Sequence, residues 1–68
     1  MMTTRTLKVS TAGEPTVKIK ADYSNGAAQA LMQYFDTPDV YHVRGSLWME
    51  GWAEFSINGK LYLVTERH

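Results

Sequence analysis

Hydrophobic and polar residues alternate along two stretches near the start of the chain. In Thr6 to Thr11, Leu7 and Val9 share one face and Lys8 and Ser10 the other; in Thr16 to Asp22, Val17, Ile19 and Ala21 oppose Lys18 and Lys20. Ala12-Gly13-Glu14-Pro15 punctuates a turn between them. A connection with an odd number of residues sets apolar against apolar across this hairpin, whereas an even number would set Val9 against Lys18. The odd connection is predicted, because a one-residue slip turns every side chain to the other face.

The periodicity then changes. Ala27, Ala30, Leu31, Tyr34 and Phe35 recur at i, i+3, i+4, i+7 and i+8, one stripe of an amphipathic helix, with Gln29, Gln33 and Asp36 facing away. Asp22 or Ser24 is a candidate cap for its start. Thr37 precedes Pro38 and is steered out of the helical region, so the helix ends near Asp36.

Alternation resumes at Val40. Asn58-Gly59 between alternating segments is the signature of a type I′ hairpin, whose two central residues both need positive φ. That turn sets Ile57 opposite Lys60, Phe55 opposite Tyr62 and Ala53 opposite Val64, with these residues facing inward. Upstream, a bulged turn around Glu50-Gly51-Trp52 aligns Leu47 with Phe55 and Met49 with Ala53, and carries the inner face back through Val43 and Tyr41. A strict two-residue turn at Glu50-Gly51 would place Trp48 beside Ala53; the bulge is preferred. The predicted fold is a two-layer α+β domain over residues 1–68. Its antiparallel sheet of about five strands carries one helix on one face, in the order β-β-α-β-β-β.

Composition narrows what such a domain does. The 68 residues hold seven Lys plus Arg against seven Asp plus Glu, 44% hydrophobic residues and no Cys. A chain this apolar, with two Trp, four Tyr and two Phe, folds. Zero net charge supplies no long-range field for gathering phosphate backbone. The missing cysteines exclude disulfides, thiolate metal sites and thiol nucleophiles, and fit a reducing cytoplasm. Met1 to Lys8 lacks the apolar run of about 7–15 residues that an export signal needs. Tyr23 to Phe35, free of charge, falls short of the roughly 20 apolar residues that cross a bilayer. The expectation is a soluble cytoplasmic protein.

Little reactive chemistry is on offer. His42 is the only internal histidine, with Ser46, Asp36 and Asp39 nearby in sequence, and an Asp-His-Ser set arises by chance in most chains. His68 is terminal. Neither a metal-ligand spacing nor a glycine-rich phosphate loop is present, and Gly45, Gly51 and Gly59 read as turn or bulge glycines. No enzymatic activity and no cofactor are expected.

The sheet's outer face, in the predicted register, presents His42, Arg44, Ser46, Trp48, Glu54, Ser56, Leu61 and Leu63, with Trp52 near the turn. A solvated sheet face is mainly polar, so a Trp and two Leu together mark a candidate protein-binding or self-association surface. The alternative is that the register is displaced or the last strand curls, making these residues core. Lys8, Lys18 and Lys20 gather on the outer side of the first hairpin with Arg5 near them. Such lysines contact phosphate or, more commonly, solvate a face and guard an edge strand. The expected function is therefore steric binding of another protein, as an inhibitor or accessory subunit. In size and build the chain is comparable with phage and mobile-element products that block host defence complexes, anti-CRISPR proteins among them. A homodimer through the outer faces and a weak nucleic-acid binder using the lysine hairpin are the other readings.

Overall fold

A computed structural model of the chain describes residues 4–23 and 26–67. Ser24, one candidate helix cap, and His68 lie outside them. The elements are β1 (Arg5–Ser10), β2 (Val17–Ala21), α1 (Ala27–Phe35), β3 (Val40–Ser46), β4 (Trp52–Ile57) and β5 (Lys60–Arg67). The five strands form one antiparallel sheet in the order β2-β1-β5-β4-β3, with the helix inserted between β2 and β3. This is the small α+β fold that the alternation predicts.

Both hairpin registers follow the pattern that sets them. Leu7 pairs with Ile19 and Val9 with Val17, so an odd number of residues separates the last pair and apolar stands against apolar. Ile57 pairs with Lys60, Phe55 with Tyr62 and Ala53 with Val64. Asn58 and Gly59 hold φ values of 52° and 80°, the positive pair that a type I′ turn requires. The turn is tied to the helix exit: the Asn58 N–H donates to the Asp39 carbonyl at 2.9 Å and the Thr37 hydroxyl to Asn58 Oδ1 at 2.8 Å.

One sheet face carries the core. Leu7, Val9, Ile19, Val40, Ala53, Phe55, Ile57 and Val64 are buried together with Ala30 and Leu31 of α1, and Phe35 closes on Tyr62 with ring centroids 5.4 Å apart. The helix begins at Gly26, which holds the N-cap position with no side-chain cap hydrogen bond, in place of the expected Asp22. It ends at Asp36 (φ 53°), whose N–H and that of Thr37 both bond the Met32 carbonyl. Tyr34, expected in the buried stripe, is exposed at its shoulder with its ring edge on Phe35.

β3 departs from the predicted register. A bulge between His42 and Arg44 leaves Val43 without a partner, so alternation inverts upstream of it. Gly45 stands opposite Ala53 and Arg44 opposite Glu54, with the predicted parity, but His42 pairs with Phe55 and Tyr41 with Ser56. His42 therefore turns to the helix side, and Tyr41 and Val43, expected inward, are exposed. The strand also stops at Ser46. Residues 47–51 wind into a single turn, with the N–H of Glu50 bonded to the Ser46 carbonyl at 2.8 Å and that of Gly51 to the Leu47 carbonyl at 3.2 Å. Leu47 and Met49 thus pair with neither Phe55 nor Ala53, and Trp48 leaves the sheet.

Gly45 is the tightest backbone contact in this region. It holds φ 84°, and a Cβ built there would lie 2.8 Å from Cζ3 and the carbonyl oxygen of Trp52 and 2.9 Å from Cα of Ala53. Gly13, at φ 83°, has nothing within 4 Å of the same added atom. Gly45→Ala is therefore expected to lower stability in urea denaturation by roughly 2–4 kcal/mol, against roughly 1 kcal/mol for Gly13→Ala. Equal losses would show that β4 yields to the extra methyl group.

Candidate functional site

Alternation and pairing together map the face turned away from the helix. Reading across the strands, Lys18 stands beside Lys8, Lys8 beside Thr65, and Thr65 beside Trp52, which reaches Ser46. The next row runs from Ser10 through Leu63 and Glu54 to Arg44, and the last from Leu61 through Ser56 to Tyr41. Among the described residues no element covers this face. Tyr41 is 64% exposed, Leu61 53% and Leu63 41%, so three large apolar side chains on β3 and β5 meet solvent on this face, and Val43 in the bulge is 52% exposed.

Polar contacts frame that apolar ground. The Arg44 guanidinium pairs with the Glu54 carboxylate. The arginine side of the pair is open to water, so it contributes position more than stability. The Thr11 hydroxyl donates to the Leu61 carbonyl at 2.7 Å, drawing the first hairpin's loop along the end of β5. Beside it the Lys60 ammonium pairs with Glu14, and by donating a hydrogen bond to that carboxylate it is held above its ordinary pKa. These loop contacts bound an open groove of about 520 Å³ against Leu61, Leu63 and Glu54.

Of the residues expected on this face, Arg44, Ser46, Trp52, Glu54, Ser56, Leu61 and Leu63 are there. Trp52 is half-buried over Gly45. His42 and Trp48 are not. The His42 ring lies 5.4 Å from that of Phe55, and its Nε2 is 2.7 Å from the Gly45 carbonyl. Because a carbonyl only accepts, Nε2 carries the proton. The Ser46 hydroxyl accepts the Met49 N–H instead of meeting the imidazole. Tyr41 joins the face although alternation alone assigns it inward, and Val43, assigned inward too, is exposed in the bulge; Gly45, a glycine inside a strand pattern, was the signal of that bulge.

Trp48 belongs to a second cluster at the other end of the inner face. Its ring packs on Tyr23 with centroids 4.9 Å apart, and the Arg5 guanidinium lies over it at 5.3 Å. Arg5 also pairs with Glu66 at 2.8 Å. Arg5 therefore stands on the helix side, apart from the lysines with which it was expected. A shallow apolar groove of about 380 Å³ opens here between the start of α1, His42 and Trp48, floored by Ala53 and Phe55. Lys8, Lys18 and Lys20, by contrast, do share the outer side of the first hairpin, Lys8 directly opposite Lys18. No three described His, Asp or Glu residues converge as a metal-ligand set, and no described helix is long and apolar enough to cross a membrane.

Compared with known protein families, curated proteins and solved structures, the chain matches none.

Tyr23 is 1% exposed and its hydroxyl has no hydrogen-bond partner among the described residues. Tyr23→Phe is expected to stabilise the fold by about 1 kcal/mol, since an unsatisfied buried group is removed. A loss of stability in chemical denaturation would mean that the hydroxyl is satisfied. Trp48→Ala is expected to cost about 1 kcal/mol through the lost ring contacts.

Proposed function

We propose that this is a non-enzymatic protein-binding protein, acting sterically as an inhibitor or accessory subunit through the outer sheet face. One observation carries the reading: Tyr41, Leu61 and Leu63 are exposed on one sheet face that no described element covers. Single apolar residues on a surface need no explanation, but Leu61 and Leu63 side by side on β5, with Tyr41 across Ser56 from Leu61, mark a surface that a partner completes. Glu54 stands between Leu63 and Arg44, and this charged pair sets orientation more than affinity. Antiparallel pairing on both sides of β4 and β5 holds the face in shape, so little ordering entropy opposes binding. The mechanism is occlusion: the face seats on a partner's groove or edge and denies it to that partner's substrate. A cysteine-free chain of this kind suits a reducing cytoplasm, where we place it.

The second reading, nucleic-acid binding by Lys8, Lys18 and Lys20, draws support from their adjacency on β1 and β2. Base stacking needs aromatic faces, and the middle of this sheet offers aliphatic Leu61 and Leu63 instead.

The test is partner capture from cell extract with quantitative mass spectrometry, using the full chain and two variants. Leu61→Glu combined with Leu63→Glu is expected to leave the circular dichroism spectrum intact and to abolish retention of proteins held by the parent chain. Gln29→Glu, on the exposed side of α1, is expected to retain them. The same retained proteins in all three preparations would refute the assigned face.

A further inference from the structure

The zero net charge of the chain conceals a separation by face. Among the outward strand positions described, Lys8, Lys18, Lys20 and Arg44 are opposed by Glu54 alone. Asp22, Asp36, Asp39 and Glu50 stand outside the strands, in the connections and at the helix end. Arg5 and Lys60 are matched by Glu66 and Glu14. The outer face is thus cationic on a neutral molecule, and its lysines lie on one side of its leucines.

From this arrangement we infer the chemistry of the partner: an acidic amphipathic helix of another protein, whose apolar stripe lies on Leu61 and Leu63 and whose carboxylates reach Lys8 and Lys18. The inference rests on the protein-binding reading and adds to it the partner's charge and shape. Dimensions favour it. Strands lie about 4.8 Å apart, so β1 and β2 run roughly 5 and 10 Å to one side of β5. A helix of about 10 Å diameter seated along β5 therefore carries its flanking side chains over those lysines.

The other occupants fit less well. A second copy would set lysines against lysines in one orientation and, in the other, against a β4–β3 half whose outward carboxylate, Glu54, is already paired with Arg44. A nucleic acid would meet the lysines but would also leave Leu61 and Leu63 against sugar and phosphate.

The experiment is a titration of the isotopically labelled full chain, followed by amide NMR shifts. The probes are three synthetic helical peptides with one shared apolar stripe, flanked by Glu, by Gln or by Lys, and a thymidine oligonucleotide. The Glu peptide is expected to shift amides of β5 and β1 and to bind roughly tenfold more tightly than the Gln peptide. That advantage shrinks as salt rises from about 50 to about 500 mM, because exposed charges are screened. Lys8→Glu with Lys18→Glu is expected to abolish the advantage while leaving the Gln peptide's affinity unchanged. Equal binding of Glu and Gln peptides at β5 would overturn the acidic partner and leave the protein-binding face standing. Shifts confined to the Trp48 groove, or none with any peptide, would overturn both. Tighter binding of the oligonucleotide than of every peptide, lost in the lysine variant, would replace both with the nucleic-acid reading.

Discussion

A single nine-residue helix is the only covering layer described for a five-stranded sheet. With strands about 4.8 Å apart the sheet is roughly 20 Å wide, and a helix covers about half of that. Covering the rest of the inner face falls to pieces outside the regular elements: Tyr23 before the helix, Leu47 and Trp48 after β3. Among the described residues nothing is left for the second face. Its character is therefore decided by side chains alone, and those divide it. Lys8, Lys18 and Lys20 make the β1–β2 half cationic, whereas Leu61 and Leu63 keep the centre apolar.

Most of this architecture is legible in the chain because its determinants are local. Alternation names the inner residues of β1, β2, β4 and β5, and Asn58-Gly59 pins a register that leaves no choice of face. Pro38 places the end of the helix. β3 resists the same treatment for a physical reason: parity counted along a strand survives only while every residue has a partner. Val43 has none, so Tyr41 and His42 exchange faces. Trp48 is misplaced by a second nonlocal effect. Its ring packs instead on Tyr23, which follows β2, and under Arg5 of β1, residues from the far side of the sheet that no window around Trp48 contains.

The candidate site inherits this division. Leu61, Leu63, Glu54 and Arg44 were legible because each lies where parity holds, and Tyr41 and Val43 were hidden by the bulge that exposes them. The bulge has a further role at the sheet's edge. An unbroken outer strand invites pairing with another chain, and the irregular β3 together with the lysine-bearing β2 guards both edges. Both rims are thereby poor templates for open-ended strand pairing.

The central pairing of β1 with β5 joins Thr6 to Arg67 and Ser10 to Leu63. Each of the two outer hairpins can close early, since its strands are sequence neighbours. Joining them requires the longest loop closure in the described chain, and its entropic cost is met only when nearly the whole core forms. The first hairpin, with Leu7, Val9 and Ile19 unsheltered, has no stable resting place until β5 arrives. A half-made chain consequently leaves its core residues exposed, and the outer face takes its shape only when β1 and β5 join.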